Sequence, residues 1–160
     1  MSAGGRTLDG DGDGLCVEGG ADPELRSWLE LRLREACAEA GSSPKRVVIR
    51  LVRDEEMAAL HRRFSGVEGT TDVLTWVHSE PGAPLEADVA ICVDEAARQA
   101  AERGHDPARE LLLYGVHGLL HAMGHDDRDP ADHARMHREE DRILARIGVG
   151  PVWSRGEDPA

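Results

Sequence analysis

Three short β-branched segments, set among helical periodicities, limit what this chain can fold into more than any other feature. Arg46 to Arg53 alternates Val47, Ile49 and Leu51, the pattern of a half-buried strand. Asp72 to Val77 (Asp-Val-Leu-Thr-Trp-Val) and Ala87 to Val93 (Ala-Asp-Val-Ala-Ile-Cys-Val) predict two more. Around them, apolar residues recur every three or four positions, as on one face of a helix. Leu25, Trp28, Leu29, Leu33 and Ala36 follow Asp22-Pro23 and stop before Gly41. Met57, Leu60 and Phe64 follow Asp54, and a further helix runs from Asp94 towards Gly104. Leu112, Leu113, Val116, Leu119 and Leu120 lie between Asp106-Pro107 and Gly124, and Met136, Ile143, Leu144 and Ile147 between Asp129-Pro130 and Gly148. An Asp ahead of a Pro starts a helix because its carboxylate accepts a first-turn N–H while Pro supplies the helical φ. The order α-β-α-β-β-α-α-α predicts one domain of the α/β (α+β) class, a small mixed sheet with helices.

The domain is predicted over 23–150. Residues 1–22 read as a disordered acidic tail, with seven Gly and with Asp9, Asp11, Asp13, Glu18 and Asp22 against one Arg. Such a segment buries too little apolar surface to offset its ordering entropy. Asp9-Gly-Asp11-Gly-Asp13-Gly14 imitates the start of a calcium loop, but the twelfth position, which should be Glu, is Gly20. Residues 151–160 read as a loose C-terminal tail.

The 160 residues hold no run of 18 apolar positions and no basic segment followed by an apolar core, so neither a membrane helix nor a secretory signal is expected. Cys16, Cys37 and Cys92 are odd in number and far apart, which suits reduced thiols in the cytoplasm. The formal charge of −12 excludes a strongly basic nucleic-acid glove. With five aromatic rings (Trp28, Phe64, Trp76, Tyr114, Trp153), a site dominated by base stacking is not expected.

The chemistry concentrates in His117-Gly118-Leu119-Leu120-His121-Ala122-Met123-Gly124-His125-Asp126-Asp127. His117 and His121 are four apart on a predicted helix and project from one face, where two imidazoles can grip one ion. Gly124 lets the chain turn back, so a residue a few positions on completes a set of three and leaves one position for water. Asp127 is the preferred third ligand and His125 the alternative. The donor set favours zinc among the metals such residues bind. His133 and His137 repeat the spacing among Arg135, Arg138, Glu139 and Glu140, and read as a solvated face.

This stretch resembles the signature of the YbeY family of bacterial rRNA maturation factors, His-Gly-x-Leu-His-x-x-Gly-(Tyr/His)-Asp-His. Thr71-Asp72-Val73-Leu74-Thr75-Trp76 is similar to that family's Thr-Asp-Val-Leu-Ser-Phe, Leu85 to Cys92 to its Leu-Gly-Asp-Ile-x-Ile-Cys, and Leu60-His61-Arg62-Arg63-Phe64 to its Leu-Asn-x-x-Tyr. Met136 and Glu140 fit the helix after the metal loop. The match spans about 45–148. The resemblance implies a zincin-like domain that binds one zinc and cleaves single-stranded RNA, in small-subunit rRNA maturation including 3′-end processing and in ribosome quality control. Its partners would be rRNA and the small subunit or its proteins, with no DNA and no membrane.

Three positions depart from the family pattern. The third signature histidine is Asp127, still an acceptable oxygen ligand. The family's Arg after the aromatic is Ser65, which leaves Arg62 and Arg63 as candidates to stabilise phosphate charge beside the catalytic His117. A Pro before Thr-Asp is Thr70. Zinc at this centre would lower the pKa of its bound water towards about 7 for attack at phosphorus. Asp72 and Asp88 are candidates to orient ligands, or simple strand-end residues. Two other readings stand beside this one. A zinc-bound assembly factor with weak or lost nuclease activity is the first. The second, a zinc peptidase, is disfavoured because Gly118 occupies the position of that class's general-base Glu. At this net charge, affinity for naked RNA is expected to be weak and salt-sensitive, with a partner placing the substrate.

Overall fold

A computed structural model describes residues 14–20 and 22–153. Its strands are β1 (Leu15–Gly19), β2 (Arg46–Val52), β3 (Val73–Val77) and β4 (Glu86–Cys92). Its helices are α1 (Pro23–Glu39), α2 (Asp54–Ser65), α3 (Val93–Arg103), α4 (Pro107–Ala122) and α5 (Pro130–Arg146). The sheet order is β1-β2-β4-β3, with β1 and β4 parallel to β2 and β3 antiparallel to β4. It is the small mixed sheet with helices that the sequence predicts.

Asp22-Pro23, Asp106-Pro107 and Asp129-Pro130 start α1, α4 and α5, and each Asp accepts a backbone N–H of its own first turn: Asp22 from Glu24, Asp106 from Ala108, Asp129 from Asp132. Asp54 and Asp94 behave differently. Each lies just inside its helix, and Asp94 Oδ2 accepts the Asp54 N–H at 2.8 Å, capping α2 from another element.

One face of the sheet carries the main core. Val47, Ile49, Val89 and Ile91 meet Leu29 and Leu33 of α1, Leu112, Val116 and Leu119 of α4, and Met136, Ile143 and Leu144 of α5. α4 is buried almost all round, as a helix apolar on every side must be. The opposite face, one residue out of phase, holds a smaller cluster: Val52, Met57, Ala90 and Cys92, with Leu60, Leu74 and Trp76. α2 therefore lies across the sheet from α4.

Both predicted tails need correction. Residues 15–19 form β1, an edge strand in register Leu15↔Val47 to Gly19↔Leu51. Leu15 and Val17 alternate inward and are buried, whereas Glu18 pairs with Arg50 on the other face at 2.8 Å. Three apolar residues among glycines and acids suffice here because β2 supplies the backbone partners and the core supplies the rest. The Asp9–Asp13 part of the calcium-like loop lies outside the described residues. At the other end Val152 is buried and the backbone N–H groups of Val152 and Trp153 both bond Asp141 Oδ1, so 151–153 are docked. Among the described residues no helix is long and apolar enough to cross a membrane.

Candidate metal centre

The last two turns of α4 carry His117 and His121 on one side, their ring centroids 4.6 Å apart. Gly124 ends the helix at φ +103°, a left-handed conformation that costs Gly least. The turn it makes, with the His125 N–H bonded to the Leu120 carbonyl, folds the chain back over the helix end. Asp126 is held by Arg128, whose guanidinium keeps its carboxyl below the usual carboxylate range. Asp127 is thereby left facing the histidines. Its Oδ2 stands 3.5 Å from Nε2 of His117 and 3.5 Å from Nε2 of His121.

Those separations test the fit to a metal. They are too long for good hydrogen bonds, yet one ion bound tetrahedrally at about 2.1 Å holds its donors about 3.4 Å apart. One donor atom from each residue lies within 4.8 Å of the other two. The residues present therefore suit one small divalent cation with three protein donors, and two imidazoles with a carboxylate suit zinc.

The orientation of His117 comes from an element the sequence reading left out of the site. Glu140 of α5 is fully buried, and its Oε2 accepts from His117 Nδ1 at 2.5 Å. With Nδ1 donating, Nε2 is the nitrogen free to ligate. The other carboxylate oxygen accepts the indole N–H of Trp153 at 2.6 Å. Burial by itself would lower the His117 pKa. The Glu140 hydrogen bond and charge, helped by Asp127 and Asp72, outweigh it and hold the pKa above the ordinary histidine value. A buried Glu facing inward on a helix after the metal loop was visible in the sequence only as a fit to the family's pattern. Its contact with His117 spans 23 residues.

The remaining candidates fall elsewhere. His125 is exposed and lines a cavity of about 350 Å³ with Asp126, Arg135 and Met136, outside the three-donor group. Asp72 acts on His117 through charge alone, its own carboxylate bonding the Val73 N–H. Asp88 points to the opposite sheet face and pairs with His78 at 2.6 Å, so Glu140 takes the orienting part considered for it. Arg62 and Arg63 are exposed on α2, across the sheet from α4, because helical phase turns them away from the core. Among the described residues no hydrogen bond or ion pair joins either to His117, His121 or Asp127; Arg63 instead lies over the Phe64 ring at 5.2 Å. Ser65 ends α2 in an exposed position. His137 stacks on Trp153 at 3.7 Å, so the second histidine pair is not simply a solvated face.

Gly118 separates this centre from a peptidase. A Cβ there would come within 2.7 Å of Val89 Cγ1 and 3.2 Å of Val73 Cγ2. Position 118 faces the sheet, so a general-base carboxylate has no room at the place where peptidases of this spacing carry one.

Comparison with known proteins shows the family of the chain. Residues 20–148 match the family described as Endoribonuclease YbeY. An Endoribonuclease YbeY of Halorhodospira halophila is 38% identical over 142 residues, covering 83% of this chain and 89% of the relative. One from Thermus thermophilus is 39% identical over 122 residues, covering 71% and 88%. The solution structure of TM1509 from Thermotoga maritima superposes with a TM-score of 0.58 at 22% identity, covering 82% of this chain and 90% of that one. That last likeness concerns the fold.

Proposed function

Because the chain belongs to the Endoribonuclease YbeY family, we propose that it hydrolyses single-stranded RNA in small-subunit rRNA maturation and ribosome quality control. In this reading it works in the cytoplasm with the small subunit or its proteins, and His117, His121 and Asp127 hold one zinc ion. The observation that carries the metal part is the placing of Asp127 Oδ2 at 3.5 Å from both imidazole Nε2 atoms.

When bound, zinc supplies a Lewis acid for the phosphoryl group and lowers the pKa of water. The chain's own residues do the rest. Glu140 keeps the His117 proton on Nδ1 and so keeps Nε2 basic. Asp127 adds negative charge where the family signature has a neutral imidazole, which lowers the net charge of a loaded centre by one relative to three histidines. Arg62 and Arg63 take no part in this scheme. The chain's charge of −12 supports delivery of RNA by a protein partner rather than tight binding of free RNA.

The test is metal content by mass spectrometry, beside cleavage of a single-stranded RNA. The wild type is expected to hold about one zinc, lost in Asp127→Ala and kept in His125→Ala. Cleavage should disappear in His117→Ala and after chelation. Zinc retained by Asp127→Ala would refute the donor set. Zinc without any cleavage would leave the assembly-factor reading standing in place of the nuclease.

A further inference from the structure

We propose that Trp153 is a positioning residue of the metal centre, acting through Glu140 on His117. The inference rests on the metal-centre reading above and adds a residue that belongs to none of the motifs in the chain.

The segment carrying Trp153 is pinned before the ring is placed. Arg109 Nη2 donates to the Gly150 and Pro151 carbonyls at 3.1 and 2.8 Å. Asp141 Oδ1 accepts the Val152 and Trp153 N–H groups at 2.8 and 3.0 Å. The indole then lies parallel to His137, 8° between planes, with the Arg103 guanidinium 4.3 Å from the ring centroid. Thus held, its only polar atom reaches Glu140 Oε1 at 2.6 Å.

Glu140 needs that donor. A buried carboxylate bonded only to His117 would leave one oxygen without a partner and its plane free to turn about the terminal torsion. Donors on both oxygens, His117 at 2.5 Å and Trp153 at 2.6 Å, fix the plane. A fixed carboxylate in turn holds the imidazole so that Nε2 meets the site shared with His121 and Asp127. Partners one layer behind a ligand usually set tenfold or more of metal affinity.

Trp153→Phe keeps the stacked ring and removes the N–H, so it isolates the donor. Zinc affinity is read by chelator competition, with thermal midpoints of the metal-free proteins alongside. The His117 tautomer is read on metal-free protein by long-range 1H–15N correlation at alkaline pH. The expected result is zinc binding about tenfold weaker in Trp153→Phe. His117 should carry its proton on Nδ1 in the wild type and divide it between the two nitrogens in the variant. A merely structural Trp153 would lower the thermal midpoint and leave both zinc affinity and tautomer unchanged, and that result overturns the proposal. So does a wild-type His117 protonated on Nε2, a measurement that needs no variant. If His117→Ala or Asp127→Ala bound zinc as well as the wild type, the donor set would fail, while the tautomer would still judge the link from Trp153 to His117.

Discussion

Two glycines in α4 provide a measurement in which most of the uncertain energy cancels. Gly115 and Gly118 are both interior to the helix, so Ala at either gains about 1 kcal/mol of helix propensity. They differ in what a Cβ would meet. At 115 the close atoms are the terminal methyls of Leu33, at 2.8 and 3.0 Å. Leu33 has two side-chain torsions with which to withdraw. At 118 the first contact is Val89 Cγ1 at 2.7 Å, followed by Val73 Cγ2 at 3.2 Å and Thr75 Oγ1 at 3.3 Å. Those groups belong to β-branched residues, stiff about χ1, on two paired strands. Overpacking of a tight core costs about 1–3 kcal/mol, so relief at 115 should leave Gly115→Ala close to neutral. Gly118→Ala should be less stable than Gly115→Ala by about 1–2 kcal/mol, a gap of about 2–4 °C for each kcal/mol in a domain of this size. Thermal and urea unfolding of the metal-free variants measures the difference. Because α4 must lift away from the sheet at the turn bearing His117, Gly118→Ala should also bind zinc more weakly. Gly118→Ala as stable as Gly115→Ala would refute the close approach of α4 to β3 and β4, and with it the reason for denying a peptidase base that position.

Two further outcomes follow from the same structure. Leu15→Ala is expected to cost about 2–5 kcal/mol in urea unfolding, the range for a buried Leu. Cys16→Ala, on the exposed side of the same strand, should cost almost nothing, and equal small effects would restore a disordered tail. In metal-free protein the raised His117 pKa contributes stability that is complete below about 6.5, the unfolded histidine value, and is lost as pH rises through the folded value. The stability gap between wild type and His117→Ala should therefore shrink as pH rises above about 6.5. Zinc affinity should rise over the same interval, since the metal takes the deprotonated ring. A stability gap that widens with pH would contradict the carboxylate environment assigned to His117.

The readable parts of this protein are those governed by neighbours in the chain. Asp22-Pro23, Asp106-Pro107 and Asp129-Pro130 start helices because cap and ring act within a few residues. His117 and His121 share a face because helical pitch requires it, and Gly124 turns the chain because its backbone tolerates φ +103°. Asp127 was within reach of the same local argument. β1 was not, because Leu15 and Val17 become a strand only when β2 pairs with them and the core takes their side chains. The positions of Arg62 and Arg63 depended on which face of the sheet α2 covers, a matter of long-range packing that proximity to the family's motif does not decide. Trp153 belongs to no motif and Glu140 only to a family likeness, and neither has a role until α5 and the segment after it meet α4. In that packing a buried carboxylate finds one donor 23 residues before it and another 13 residues after it. Local chemistry can mark which residues are able to bind a metal. Which nitrogen they turn towards it is set by hydrogen bonds that exist only once distant segments exclude water around them.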